Sequence, residues 1–362
     1  MSHVAIFLPD VEGGGAERVM VTLANGFAAR GHRVDLVLAR AGGSYLGEIA
    51  GNVCVVDLKA GRVAASLLPL ARYLRRERPV ALLSALNHAN VIAIIARKLA
   101  RVPVRLVVSE RNAPSQTLMG NGQAAMIFRL LTRRLYPLAD AVICVAKGVE
   151  DELEQLLGLP AEKLHTVYNP LDLDRIAALK ASAPDHCWFG AGQPPVIVAA
   201  GRLTAQKDYP TLLRAFQQLR RTRAVRLIVL GKGEEQAALL RLIEELGIGA
   251  DVDLAGFQDN PFAWMAAADL YVMSSAWEGL PGALLQAMAC GTRIVSTDCR
   301  TGPAEILEDG RWGRLVPTGD VVALADAMGA ALDDPAAPRV LDRARDFGLD
   351  RAIDGYARLL AL

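Results

Sequence analysis

A chain of 362 residues, 52% of them hydrophobic, is too long for one ordinary α/β domain and long enough to build two cores. Its net charge of +1 argues against a nucleic-acid-binding protein, which carries a basic excess. The longest apolar stretch, around residues 91–95, is cut by Arg97 and Lys98 well short of the roughly 20 residues that cross a bilayer, which excludes a spanning helix.

Strand-length apolar runs alternate with helical periods along the chain. Residues 3–8 read as a strand that stops at Pro9, too short for a secretory leader. A helix at 16–30 ends at Gly31, and a strand follows at 34–39. Then come a helix at 67–78 stopped by Pro79, a strand at 80–84, a helix at 90–100 and a strand at 104–109. The first half closes with a helix at 124–136, a strand at 141–145, a helix at 149–157 and a strand at 165–168. Residues 177–195, with Pro184, Gly190, Gly192, Pro194 and Pro195, have no period and read as a linker. A second series follows: strands at 196–200, 226–230, 252–255, 270–274, 293–297 and 315–316, with helices at 209–219, 234–246, 261–267, 282–289 and 321–332, and a last helix at 349–360. This alternation predicts two α/β domains, each a doubly wound, mostly parallel sheet, at residues 1–176 and 196–344. Ligands of such sheets bind beyond the carboxyl ends of the strands, so two facing domains would share a cleft.

The five cysteines, Cys54, Cys144, Cys187, Cys290 and Cys299, form no CxxC pair and read as buried small apolar residues in a reducing compartment. Charge is uneven. Residues 1–175 hold 21 Lys and Arg against 16 Asp and Glu, and the remainder 19 against 23. The basic half suits an anionic acceptor or membrane surface, or is ordinary solvation charge. Arg72, Arg75, Arg76 and Arg78 gather at one helix end. Arg129, Arg133 and Arg134 share the helix at 124–136 with Met126, Ile127, Phe128, Leu130 and Leu131, the pattern of a helix lying on an anionic bilayer.

Three motifs fall at strand ends. Glu12-Gly13-Gly14-Gly15-Ala16-Glu17-Arg18 is a glycine turn entering a helix, either a phosphate seat or a plain turn. It is neither GxGxxG nor a P-loop. Gly201-Arg202-Leu203-Thr204-Ala205-Gln206-Lys207-Asp208 sets two cations five residues apart, a planar fork and a point charge that together suit a diphosphate. In Glu278-Gly279-Leu280-Pro281-Gly282-Ala283, a carboxylate able to accept from sugar hydroxyls precedes a helix start, where the amides of Leu280, Gly282 and Ala283 can face a phosphate. Asp172-Leu173-Asp174 and Asp251-Val252-Asp253 match a metal-binding spacing but read as a helix cap and a strand entry, so no metal site and no cofactor is expected.

These stretches, with Val167-Tyr168-Asn169-Pro170 and Gly302-Pro303-Ala304-Glu305, resemble the retaining glycosyltransferases of family 4, built from two Rossmann-like domains in the GT-B architecture. The resemblance implies roles. Arg202 and Lys207 neutralise the donor diphosphate, Glu278 holds the transferred sugar, Gly201, Gly256 and Phe257 border the nucleotide, and Gly14 and Gly15 close on the donor from the other domain. It also implies that a C-terminal helix, about 345–362, packs back on the first domain.

Two departures stand out. Gln286 replaces the second Glu of the family's Glu–seven residues–Glu pattern, and its amide can still bond a ribose. The His expected near the donor sugar is absent from Glu110-Arg111-Asn112, which leaves these three and His88 as acceptor-side candidates. The implied activity is transfer of a hexosyl or N-acetylhexosaminyl group, from a UDP-sugar to a glycan or lipid-linked acceptor in cell-envelope polysaccharide or lipopolysaccharide synthesis. The expected location is the cytoplasm or the inner membrane face. A sugar-nucleotide epimerase and a weakened nucleotide-sugar-binding protein share the architecture.

Overall fold

Strands that are apolar on both faces need helices on each side, and both halves of the chain meet that need. The computed structural model describes residues 1–12, 14–115, 123–336 and 338–362, with the backbone alone for 123–125. Gly13 of the glycine turn lies outside the described residues. Contacts divide the chain into two units, Met1–Pro170 with Leu349–Leu362, and Leu171–Gly348.

The first unit runs β1 (His3–Leu8), α1 (Gly15–Ala29), β2 (Arg33–Leu38), β3 (Val53–Asp57), α2 (Leu67–Glu77), β4 (Ala81–Ala85), α3 (Asn87–Ala100), β5 (Arg105–Glu110), α4 (Gln123–Leu135), β6 (Ala141–Cys144), α5 (Lys147–Leu157) and β7 (Leu164–Thr166). Its sheet has the order β3-β2-β1-β4-β5-β6-β7, with parallel pairing throughout. The reversal of strand order beside β1 puts the ends of β1 and β4 at a switch point, where the loops diverge and leave room for a ligand. β1 is buried along residues 4–8, as an unbroken apolar strand in a parallel sheet must be.

The second unit runs α6 (Leu173–Leu179), β8 (Val196–Ala200), α7 (Tyr209–Arg220), β9 (Arg226–Leu230), α8 (Gln236–Leu246), β10 (Val252–Gly256), α9 (Pro261–Ala267), β11 (Leu270–Met273), α10 (Gly282–Cys290), β12 (Ile294–Thr297), α11 (Pro303–Leu307), β13 (Arg314–Val316), α12 (Val321–Asp333) and α13 (Val340–Ala344). Its parallel sheet has the order β10-β9-β8-β11-β12-β13, with the switch between β8 and β11. The C-terminal helix α14 (Leu349–Leu360) belongs to the first unit. There Ile353, Tyr356 and Leu360 enter the core, and Arg30 pairs with Asp350 and Asp354.

Several elements differ from the sequence reading. β3 has no counterpart in it, because this edge strand buries only Val53 fully and shows no clean alternation. α11 and α13, of five residues each, are too short to carry a helical period. The stretch 177–195 is not a free linker. The chain leaves the first unit at Pro170, and residues 171–195 are folded on the second. Lys180 Nζ donates to the Ala289 carbonyl at 3.0 Å, at the end of α10, and His186, Trp188 and Phe189 form an aromatic cluster with Trp264. The boundary moves for a physical reason: these aromatics have an apolar partner on α9. Cys54 and Cys187 are exposed rather than buried. The other three cysteines are buried, and burial pushes the Cys290 and Cys299 thiols up to about 12. Among the described residues no helix is long and apolar enough to cross a membrane.

Candidate functional site

A polar cluster at strand ends of the second unit joins the loops after β8 and β11, on either side of the switch point. Glu278 has a side chain only 8% exposed, and its Oε1 pairs with Lys207 Nζ. The Ser275 hydroxyl donates to the same oxygen at 2.7 Å. Gln206 Nε2 donates to the Trp277 carbonyl at 2.9 Å and reaches Glu278 Oε2 at 3.3 Å. The two loops are also bonded through backbone. Ser274 Oγ donates to the Lys207 carbonyl at 2.7 Å, and the Ala276 amide to the Gln206 carbonyl at 2.8 Å. The carboxylate and the ammonium face each other and are further hydrogen-bonded, which offsets the cost of taking both out of water.

A third loop supports the turn from below. The Thr301 hydroxyl donates to the Glu278 carbonyl. Gly302, at φ +97°, lies so close that a Cβ there would stand 2.6 Å from Pro281 Cδ and 2.8 Å from the Gly279 carbonyl oxygen. Only glycine allows this approach. Arg202 differs from Lys207: its guanidinium is exposed and makes no hydrogen bond or ion pair among the described residues. Gly201 precedes it, held by its amide to the Leu230 carbonyl at 2.9 Å.

The turn Gly279, Leu280, Pro281 delivers the chain into α10, whose N-terminus has no side-chain cap. Leu280 and Pro281 are buried, while Gly282, Ala283 and Gln286 lie on the open face, one helical turn apart. An uncapped helix start carries partial positive charge and free amides, so an anion placed there is stabilised. Gly256 ends β10, and the Phe257 ring beyond it is 64% exposed, a flat apolar face at the sheet edge.

Sequence reasoning missed the supports. Gln206, Ser275 and Thr301 orient Glu278, and the only local signal was Ser275 three residues before it. Lys232, exposed after β9, was also missed. Its carbonyl accepts from the Leu203 amide at 3.0 Å, which brings a third cation to the Arg202 loop. The signal was the Gly231-Lys232-Gly233 turn at a strand end.

The first unit disperses its candidates. Glu110, at the end of β5, is fully buried and does not line an open surface as expected. The Tyr136 hydroxyl donates to its Oε1, and Asn90 Nδ2 donates to it at 3.3 Å. Burial pushes the Glu110 carboxyl up to about 7. Glu110 Oε2, Asn90 Oδ1, Ser84 Oγ and Ser109 Oγ find no partner at bonding geometry among the described residues, although the Asn87 side chain comes near the carboxyl. Arg111 is also buried. It donates to the Tyr356 hydroxyl at 3.1 Å and to Asn169 Oδ1 at 2.7 Å, and burial lowers its pKa. Asn112 and His88 remain exposed. His88 follows Leu86, a bulky residue at φ +76° whose strain costs about 1–3 kcal/mol. Although His88 is exposed by area, enough protein surrounds it that desolvation lowers its pKa. In the glycine turn, Gly15 is open and Gly14 is the N-cap of α1.

The two Asp-x-Asp stretches have other partners. Asp172 caps α6, accepting from the Arg175 amide at 2.9 Å; Asp251 pairs with Arg220 and Asp253 with His186. Among the described residues no group of three or more His, Cys, Asp and Glu is placed to hold a metal. An open concavity of about 510 Å³ lies beside Asp253, Asn260 and Trp264. It contains neither Lys207 nor Glu278, and the polar cluster at the switch point remains the better candidate because its charges are buried and converge.

Residues 13–175 match the model described as Glycosyltransferase Family 4, and residues 194–334 the model described as Glycosyl transferases group 1. The chain is 29% identical over 347 residues to the N-acetylgalactosamine-N,N'-diacetylbacillosaminyl-diphospho-undecaprenol 4-alpha-N-acetylgalactosaminyltransferase of Campylobacter jejuni, covering 92% of this chain and 91% of that one. It is 27% identical to the lipopolysaccharide core biosynthesis glycosyltransferase LpsE of Rhizobium meliloti, over 96% of each. Among solved structures, Anabaena HepE in complex with UDP-glucose superposes over the full length of both chains with a TM-score of 0.82 at 22% identity, a likeness of fold.

Proposed function

This chain belongs to the family 4 glycosyltransferases of GT-B architecture, and on that premise we propose that it transfers a hexosyl or N-acetylhexosaminyl group from a UDP-sugar to a glycan or lipid-linked acceptor, with retention and without a metal ion. The observation that carries the donor assignment is the cluster at the switch point: the buried Lys207–Glu278 pair beside the unpaired Arg202 and the uncapped start of α10. Arg202 and Lys207 face the diphosphate, and the amides of Gly282 and Ala283 extend the same positive field. Glu278 accepts from hydroxyls of the transferred sugar, Gln286 from the ribose, and Phe257 covers the base. As the bond from the sugar C1 to the diphosphate breaks, charge grows on the leaving oxygen, where the two cations lower the barrier. The acceptor oxygen bonds to C1, and its proton passes to the released diphosphate. The Campylobacter jejuni and Rhizobium meliloti relatives support an acceptor of the cell envelope.

A panel of UDP-sugars, followed by UDP release with and without acceptor, tests the reading. Transfer requires UDP release that increases with acceptor and survives EDTA. Loss of activity in EDTA, restored by Mg²⁺ or Mn²⁺, contradicts the metal-free mechanism. Interconversion of the sugar without acceptor identifies an epimerase, and binding without turnover a binding protein.

Contact with an anionic membrane is part of the same proposal and places the enzyme in the cytoplasm or on its membrane face. α4 exposes Met126, Ile127 and Leu130 beside Arg129, Arg133 and Arg134, an apolar strip flanked by cations. The α2 arginines contribute less, because Arg75 is spent on the carbonyls at the end of α3 and Arg76 on Glu77. Flotation with anionic vesicles is expected at low salt and is weakened at high salt; no binding at low salt refutes it.

A further inference from the structure

The glycine turn of the first unit carries a carboxylate as well as backbone amides. Glu17 is the third residue of α1, and its side chain folds back over the start of the helix. A Cβ on Gly14 would stand 2.1 Å from Glu17 Oε2, so the carboxylate keeps this position only because residue 14 has no side chain. Glu17 is half-buried and makes no hydrogen bond or ion pair among the described residues. Adjacent strands bring its neighbours together: Asp10 follows β1, His88 follows β4 and Arg111 follows β5. Burial lowers the pKa of both His88 and Arg111, and the Glu17 charge opposes that lowering at each. The cations nearby are already engaged. Arg111 bonds Tyr356 and Asn169, Arg18 pairs with Glu48, and Arg40 pairs with Glu12.

A bare helix start attracts anions. One covered by its own carboxylate, with Asp10 close by, repels them. A hydroxyl, in contrast, finds there a charged acceptor of hydrogen bonds. We propose that Glu17, in the space left by Gly14, selects the acceptor in the first unit: it accepts a hydrogen bond from a hydroxyl of an uncharged acceptor sugar and disfavours a sugar with a carboxylate at that position. This assignment rests on the transferase reading above.

The test uses the full-length enzyme, the UDP-sugar selected by the panel, and two synthetic short-chain polyprenyl-diphosphate acceptors, one ending in N-acetylgalactosamine and one in galacturonic acid. Glu17→Gln is expected to raise KM for the neutral acceptor about 10-fold, the loss of one charge-assisted hydrogen bond, and to reduce the preference for neutral over acidic acceptor by a similar factor. KM for the donor is expected to move less than about 2-fold. Gly14→Ala reaches the same end by displacing the carboxylate, so the double variant should be no worse than Gly14→Ala alone. A rise in donor KM with acceptor KM and selectivity unchanged overturns the assignment, as does a Glu17→Gln enzyme identical to wild type. Wild-type enzyme that turns over no nucleotide sugar with either acceptor overturns the transfer reading and this assignment with it.

Discussion

The two units place charge at their strand ends in opposite ways. In the second, Lys207 and Glu278 come from neighbouring loops, meet each other directly, and are held by Ser275 and Gln206, residues within a few positions of them in the chain. In the first, Arg111 is buried against Tyr356 and Asn169, and Glu110 against Tyr136, partners that carry no opposite charge. The second arrangement pairs opposite charges beside the exposed Arg202, whose guanidinium has no partner among the described residues. The first consumes charge inside the fold and leaves Glu17, His88 and Asn112 to face outward. A carboxylate or guanidinium at a strand end is therefore not in itself a functional group; what it is bonded to decides.

The sharpest way to break this contrast is at the cations. Arg202→Ala and Lys207→Ala are each expected to lower kcat/KM at least about 100-fold, the cost of removing one preorganised charge from a leaving group. They should separate in stability. Lys207→Ala strands the buried Glu278 carboxylate, at a cost of about 3 kcal/mol, or roughly 6–12 °C in Tm for a unit of this size. Arg202→Ala, at an exposed and unpaired side chain, should leave Tm unchanged. Equal melting of the two variants contradicts the asymmetry.

In the first unit the expected effects fall on stability. Glu110 holds its proton more tightly folded than unfolded, so between about pH 4.5 and 7 the native state binds more protons, and stability falls as pH rises through that window. Glu110→Gln removes the ionisation. The variant should gain roughly 1–3 kcal/mol on wild type between pH 5 and pH 8, measured as the difference between their denaturant curves at each pH. A constant difference across that range contradicts a buried, proton-binding Glu110. Tyr356→Phe takes a hydroxyl from buried Arg111 and should cost about 1–3 kcal/mol, visible in the same measurement.

This contrast also explains what could be read from the sequence. The strands of both sheets, the switch-point loops and the Glu278–Pro281 turn announce themselves through local pattern: unbroken apolar runs such as residues 4–8 and 196–199, then glycine and charge at their ends. Ser275 was within reach of such a reading, because it lies three residues before the Glu278 it supports, whereas Gln206 reaches Glu278 from another loop. Arg111 bonded to Tyr356 was not, since no local pattern records a contact between β5 and a helix that begins at Leu349. The same holds for residues 171–195, whose aromatics find Trp264 only once the second sheet is folded. β3 was missed for a different reason, an edge strand with little to bury.

The smallest expected effect is at Gln286, on the open face of α10. A ribose contact is made equally in ground and transition states, so Gln286→Ala should raise donor KM about 2- to 12-fold with kcat nearly unchanged, the value of one neutral hydrogen bond. Gln286→Glu should retain activity. Loss of kcat with donor binding intact would move Gln286 to the reacting sugar and force it to exchange roles with Glu278.

Calorimetric titration of UDP in the presence of EDTA asks whether the switch point of the second unit binds a nucleotide diphosphate through Arg202 and Lys207. Wild-type protein is expected to bind UDP, and Arg202→Ala, folded and melting like wild type, to bind it at least about 10-fold more weakly. UDP binding of equal strength in both proteins, or none in wild type, would contradict the account.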